Sequence, residues 1–219
     1  MNPKVERGTR AMLAARASRV AAGEVALGWK VGLGSPAAFA RLGTDRPLAG
    51  FLLRSRVLPD GVVVDISDWV NPHLELEIAA VLGEDRTIAG VGAAIELVDT
   101  TPISTDPEEI LATNIYHRHV ILGPIDWSRR DGSGVTGRLL HDGGEIARSD
   151  DPAAVTGEIV GVVRGVGELL GLCGGELSPG DVIITGSVFA PVPVGPGRYV
   201  AELPPLGVLH VTLVKPRVG

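Results

Sequence analysis

Cysteine is nearly absent from these 219 residues: Cys173 stands alone, so no disulfide can form within the chain. It lies in LLGLCGGEL, where a small buried side chain near a helix end is the simplest reading. Long apolar runs are missing as well, and none approaches the roughly 18 residues of a membrane span. There is no extended basic run and no basic patch studded with aromatics, and the net charge is −6. That balance argues against a phosphate-backbone partner such as nucleic acid. The first residues lack the apolar core and small-residue cleavage site of a secretory signal. The expectation is a soluble, cytoplasmic protein.

What is abundant is glycine, at 30 residues, proline, at 16, and a hydrophobic share of 45%. These suit one sizeable globular domain rich in turns. Residues 3–23 predict a helix, with Val5, Met12, Leu13, Ala17 and Val20 on one stripe and Gly23 as its stop. LGWKVGL reads as a strand. SPAAFARLG reads as a short helix with Ser35 as its cap and Pro36 at its first position. Between 47 and 85, short aliphatic runs broken by Pro-Asp-Gly and Asn-Pro predict strands and turns. AGVGAAIELVD and HRHVILGP are further strands, and DPEEILATN is a helix capped by Asp106. Residues 127–150 are polar and glycine-rich. One helix is expected over 152–172, then several strands to the end. Strands outnumber helices and connections are short, which predicts an α+β fold with a large mixed or antiparallel β component.

The stretch HLELEIAAVLG, residues 73–83, sets two glutamates into a run that otherwise sounds like core. Glu75 and Glu77 alternate with Leu74, Leu76 and Ile78, so on a strand both point to one face, roughly 7 Å apart along the backbone. Buried together they repel and lose hydration. A divalent cation with oxygen ligands would offset both charges, and with no cysteine nearby Mg²⁺, Mn²⁺ or Ca²⁺ is favoured over zinc. The competing reading is a pair of solvated glutamates on an exposed strand face. Glu96 is another isolated acid, in the apolar stretch AAIELVD, and a shared metal accounts for all three.

Taken in order, GWKVGLGSPAAFARLGTDRPLAG, HLELEIAAVLG, IELVDTTP, ILGP and PGDVIITGSVFAPVPVGPG resemble the 2-keto-4-pentenoate hydratase group of the fumarylacetoacetate hydrolase superfamily, from about residue 28 to residue 213. The resemblance implies a mixed β-sandwich roll with a short N-terminal helix. Its boundaries would be an N-terminal helical segment over 1–27 and a catalytic domain over 28–219. It implies Mg²⁺ or Mn²⁺ held by Glu75, Glu77 and Glu96. The substrate would be a 2-oxo acid or its enol, and the reaction addition of water to a 2-hydroxy-2,4-dienoate or 2-oxo-4-enoate in aromatic-compound catabolism. Lys30 and Asp45 would reach the active site, with Glu77, Asp45 and a metal-bound water as proton-transfer groups. Thr185, Gly186 and Ser187 would line the substrate pocket. A homo-oligomer is implied too. Burial commonly lowers a lysine pKa, so Lys30 is read as a group that shuttles a proton or stabilises negative charge. The flanking Trp29 and Val31 would bury its stem.

Three departures from the group's pattern stand out. VLGEDRTIAGVGAAIELVD leaves only a few residues where the group carries a helix, which would alter the wall around Glu96. TNIYHRHVILG keeps Asn114, a substrate-binding candidate, but places Tyr116 and His117 where small hydroxyl residues are expected. His117, able to titrate near neutrality, becomes a catalytic candidate, or else packs with Tyr116 under a loop. Only one helix precedes Lys30, which implies a more open site or one completed by a neighbouring subunit. Other activities in view are those of a decarboxylase, a tautomerase or a C–C hydrolase of acylpyruvate type. A non-catalytic homologue that kept the fold is the remaining alternative.

Overall fold

A computed structural model describes residues 1–44 and 46–216. Asn2 caps the first helix, α1 (Pro3–Ala21), by accepting from the Lys4 N–H. Strand β1 (Ala26–Gly32) leads to α2 (Pro36–Leu42), whose Ser35 cap accepts from Ala38 N–H as the Ser-Pro start predicts. β2 (Leu48–Leu53) passes through a 3-10 turn at Arg54–Arg56 into β3 (Val57–Leu58), and β4 (Val62–Asp65) follows. β5 (Pro72–Leu82) and β6 (Ile88–Asp99) come next, then α3 (Pro107–Ala112) and β7 (His117–Asp126). The short hairpin strands are β8 (Gly137–His141) and β9 (Gly144–Ser149), before the helices α4 (Ala153–Thr156) and α5 (Ile159–Cys173). β10 (Val182–Ser187), β11 (Val192–Pro193), β12 (Gly197–Leu203) and β13 (Gly207–Val214) complete the order. Among the described residues no helix is long and apolar enough to cross a membrane.

Two expectations change. The helix read over 152–172 is two helices, because Gly157 at φ +82° lies in a conformation no helix continues. The polar stretch 127–150 holds the β8–β9 hairpin, turning at Asp142 and Gly143, both at positive φ as a two-residue hairpin turn requires. The short link between β5 and β6 is a tight turn, in which Gly83 N–H donates to Thr87 C=O and Arg86 N–H to Gly83 C=O. It makes β5 and β6 a continuous antiparallel hairpin.

The larger, eight-stranded sheet runs β2-β1-β10-β5-β6-β7-β3, with β11 added on β5. The second, five-stranded sheet runs β4-β13-β12-β8-β9. The larger sheet must curl. Its two end strands, β2 and β3, are joined by the three residues Arg54–Arg56, so Leu53 and Val57 lie at most about 14 Å apart at full extension. Across a flat sheet the same strands would lie about 29 Å apart, six spacings of about 4.8 Å. The curl encloses a small apolar layer made by Leu27, Leu52, Ala79, Ala94, Val120, Val182 and Ile184. Ala79 shares its face of β5 with Glu75 and Glu77, and Ala94 shares its face of β6 with Glu96. The carboxylates therefore sit on the inside of the roll, at the end of that layer. The main core lies outside the roll, where α1, α5 and the second sheet pack on it.

β1 and β10 pair in parallel with almost no space between backbones at Gly28. A Cβ there would lie 2.0 Å from the Val182 carbonyl oxygen, and Gly28 sits at φ +152°. Backbone cannot step aside as a side chain can. Gly28→Ala is expected to cost about 3 kcal/mol or more, read as a large fall in the urea unfolding midpoint or as failure to fold.

Candidate active site

The β5–β6 register places Glu75 directly opposite Glu96 and Glu77 opposite Ala94. Directly opposed residues are the nearest cross-strand neighbours. One carboxylate oxygen from each of Glu75, Glu77 and Glu96 lies within 4.8 Å of the others. Glu77 and Glu96 are completely buried, so the solvated-strand reading fails for them. Lys30 arrives from β1, 1% exposed, and its Nζ lies 2.6 Å from Glu96 Oε1. Trp29 and Val31 do not cover it, because neighbours on a strand point to the opposite face. Trp29 instead donates to Asp181 Oδ2 at 2.9 Å and lies under the Arg16 guanidinium at 4.6 Å. Lys30 is buried by what faces it inside the roll: Glu96, Gly50 and the carbonyl of Ile115, to which Nζ donates at 3.1 Å.

His117 reaches the same oxygen of Glu96 from β7, with Nδ1 2.6 Å from Oε1. Glu96 Oε2 is left with no partner, as are Glu77 Oε1 and His117 Nε2, all buried. Glu77 Oε2 accepts the Gly186 N–H at 2.7 Å. Gly186 at φ +94° lies so close to α4 that a Cβ would meet Thr156 Cγ2 at 2.9 Å. The neighbouring hydroxyls turn to β5: Thr185 Oγ1 donates to Ile78 C=O at 3.0 Å, and Ser187 Oγ lies 3.5 Å from Leu76 C=O. The Gly186 N–H and the Thr185 and Ser187 hydroxyls thus support Glu77 and β5. Asn114 spends both ends of its amide on the Phe51 backbone, at 2.8 and 2.9 Å. His117 and Asn114 also form part of the wall of a cavity of about 420 Å³ beside α1, together with Met12, Phe51, Leu53 and Leu111. Asp45, expected near the site, lies outside the described residues.

The electrostatics are those of a compressed cluster. Burial works to lower the Lys30 pKa, but the charges of Glu96, Glu75 and Glu77 outweigh it and hold the pKa above the ordinary lysine value. In the metal-free protein Lys30 is therefore held as an ammonium, against the expectation that burial alone depresses its pKa. Burial also disfavours ionised Glu96, yet Lys30 and the hydrogen bond from His117 hold its carboxyl below the usual range. Glu75 is pushed up to about 7 by burial and then by the Glu96 charge, against the pull of Lys30. Glu77 is raised well above its usual value by burial and by the charges of Glu96 and Glu75. One cation thus faces three acids, and Glu75 and Glu77 are both held above their usual range for want of a second positive charge.

A divalent cation fits this arrangement. The donors are all hard oxygens, two of them buried without partners, and a doubly charged ion supplies what Lys30 alone cannot.

Comparison with known proteins gives the same direction. No family model matches the chain. It is 32% identical over 190 residues to 4-oxalocrotonate decarboxylase from Pseudomonas putida, an alignment covering 80% of this chain and 72% of that protein. It is 30% identical over 210 residues to 2-keto-4-pentenoate hydratase from Burkholderia vietnamiensis, covering 88% of this chain and 80% of that one. The chain belongs to the 2-keto-4-pentenoate hydratase group of the fumarylacetoacetate hydrolase superfamily. A solved member, 4-oxalocrotonate decarboxylase from Pseudomonas putida complexed with magnesium and adipate, superposes with a TM-score of 0.87 at 26% identity. That superposition covers 94% of this chain and 85% of the solved chain.

Within this family fold the sequence reading singled out Lys30, Glu75, Glu77, Glu96 and His117 as candidates, and the structure brings all five together. It missed the carbonyl of Ile115 on Lys30, a backbone group with no signature in residue type.

Proposed function

We propose that this chain is a divalent-metal-dependent hydro-lyase that adds water to a 2-hydroxy-2,4-dienoate or 2-oxo-4-enoate. The observation that carries the reading is the group of three gathered carboxylates, with buried free oxygens, beside a buried lysine paired with Glu96. Glu75, Glu77 and Glu96 would hold Mg²⁺ or Mn²⁺. The ion, when bound, would supply a Lewis acid for the carboxylate and 2-oxygen of the substrate. Lys30 gives a fixed positive charge for the 2-oxygen as negative charge develops there. His117 has Nδ1 turned to Glu96 and Nε2 free, so its tautomer is set by Glu96 and Nε2 is the atom that accepts or returns a proton. Gly186 keeps Glu77 in place through its N–H. Substrate contacts by Thr185 and Ser187 would be made by groups beyond the bonds they already form, whereas the Asn114 amide is already spent on Phe51. Asp45 is kept as a proton-transfer candidate on the family resemblance.

Decarboxylation of a 2-oxo acid is the second reading, favoured by the 32% identity and by the superposition on the solved decarboxylase. The same reading assigns a cytoplasmic homo-oligomer, with residues 1–27 as a helical segment on a catalytic domain of 28–219. The deciding experiment supplies the protein and Mg²⁺ with 2-hydroxypenta-2,4-dienoate or with 4-oxalocrotonate. Loss of the dienol absorbance with a hydrated product, abolished by EDTA, is the expected result. CO₂ release from 4-oxalocrotonate alone would put the decarboxylase first. No turnover of either substrate would sink both.

A further inference from the structure

Three consecutive residues that are not glycine adopt left-handed backbone conformations: Asn114, Ile115 and Tyr116, with φ of 53°, 52° and 64°. The other such residues among those described, Leu33, Arg86 and Asp142, occur singly. The left-handed region is unfavourable for L residues, most of all for a β-branched one such as Ile115. It persists where surrounding contacts over-determine it, and such places cluster at functional sites.

The contacts here are specific. Asn114 Oδ1 accepts the Phe51 N–H at 2.8 Å and Nδ2 donates to the Phe51 carbonyl at 2.9 Å, so its amide pairs with the outer edge of β2 as a strand would. The opposite amide orientation would face donor with donor, which fixes the assignment. Gly50 makes room: a Cβ there would lie 2.7 Å from Asn114 Oδ1 and 3.1 Å from Lys30 Cγ. The Ile115 side chain is buried against Gly32, where a Cβ would lie 2.7 Å from Ile115 Cγ2. Tyr116 accepts the Asp99 N–H at its carbonyl, at 3.0 Å, and the Ser104 N–H at its hydroxyl, at 3.3 Å.

The outcome of this turn is seen at both of its ends. The Ile115 carbonyl is aimed inward at Lys30 Nζ, and the chain leaves the turn with His117 Nδ1 on Glu96. Reversing the hand of the turn would swing the carbonyl away from Lys30. We propose that the left-handed turn 114–116, clamped to β2 by Asn114, is the device that sets Lys30 and His117 on Glu96. Asn114 is then a positioning residue, and its amide is occupied by Phe51 rather than by substrate. The proposal rests on the cluster being the active site, but its test reads geometry in the metal-free protein.

The experiment compares wild type, Asn114→Gly and Asn114→Asp by nuclear magnetic resonance of the histidine ring. Glycine keeps the backbone conformation free of strain while deleting both bonds to Phe51. Aspartate keeps the oxygen that accepts the Phe51 N–H but loses the donor. In wild type the Nδ1 proton of His117, held by a buried carboxylate, is expected to give a downfield resonance. Asn114→Gly is expected to keep the wild-type far-ultraviolet circular dichroism, lose that resonance and weaken Mg²⁺ binding about 10- to 100-fold. Asn114→Asp is expected to retain a weaker resonance. A folded glycine variant with the wild-type resonance would overturn the proposal. If the glycine variant does not fold, wild type decides: slow exchange of the Asn114 side-chain amide protons supports the clamp, and exchange as fast as in a free amide overturns it. A wild type that shows the resonance and the slow exchange but binds no Mg²⁺ keeps the clamp and removes the metal reading.

Discussion

Glu96→Gln is expected to abolish Mg²⁺ binding and to lower stability by about 3 kcal/mol, whereas Glu77→Gln should abolish binding with little loss of stability in the metal-free protein. The difference follows from which acid is ionised. Glu96 carries the charge that Lys30 and His117 share, both at 2.6 Å from one oxygen. An amide in its place leaves a buried ammonium without its nearest counter-charge, and breaking such a pair commonly costs about 3–5 kcal/mol. Glu75 and Glu77 are close enough to take up part of that charge, so the lower end of the range applies. Glu77, in contrast, is held well above its ordinary pKa by burial and by the charges of Glu96 and Glu75, which favours its protonated form in the metal-free protein. A glutamine resembles that protonated acid and can still accept the Gly186 N–H. Urea unfolding in EDTA gives the stability change and calorimetric titration with Mg²⁺ gives the binding. Equal destabilisation by the two substitutions would mean that charge is not divided in this way. Wild-type Mg²⁺ affinity in either variant would remove that glutamate from the ligand set.

The same cluster shows what can be read without a structure. Glu75, Glu77 and Glu96 were legible because an isolated acid in a strand of aliphatic residues conflicts with burial, and the conflict is visible in residue type alone. The Ser35 and Asp106 caps were legible because a side-chain oxygen followed by proline has a local physical meaning. The β8–β9 hairpin was obscured by the exposure of β9: a strand that buries little carries little alternation, and only Asp142 and Gly143 marked the turn. The left-handed turn at 114–116 had no local mark, because Ile and Tyr disfavour that conformation and the turn leans, beyond its local bonds to α3, on Phe51, Gly32 and Asp99, all distant in sequence. The charge state of Lys30 was beyond reach for the same reason. Burial alone lowers a lysine pKa, and the acids that reverse the sign arrive from two other strands. The fold class needed only local patterns; the balance of charge at the site needed the register.

Metal-free protein is expected to lose stability as pH rises from about 4.5 to about 7, and saturating Mg²⁺ to remove that loss. Glu75 titrates near 7 in the folded state against an ordinary value of 4.5, so across this window the native state holds a proton that the unfolded chain has released. Stability then falls with rising pH and levels off above 7. For a shift of this size the effect is at most about 3 kcal/mol. Glu77, also raised, adds to the same slope. Lys30 stays protonated throughout and adds none, and the lowered Glu96 acts only below the window, where stability is lost as it protonates. His119 works in the opposite sense, because burial and then Arg56 lower its pKa and the unfolded chain binds the extra proton below 6.5. The quantity to measure is therefore the difference between wild type and Glu75→Gln, in EDTA, by thermal unfolding from pH 5 to 8. A cation must displace the protons it competes with. Calorimetric titration near pH 6 in buffers of different ionisation enthalpy should accordingly show proton release on Mg²⁺ binding, diminishing as pH rises past 7. A wild type that gains stability relative to Glu75→Gln as pH rises, or binds Mg²⁺ without releasing protons, would mean that the carboxylates are already ionised and that Lys30 alone compensates them.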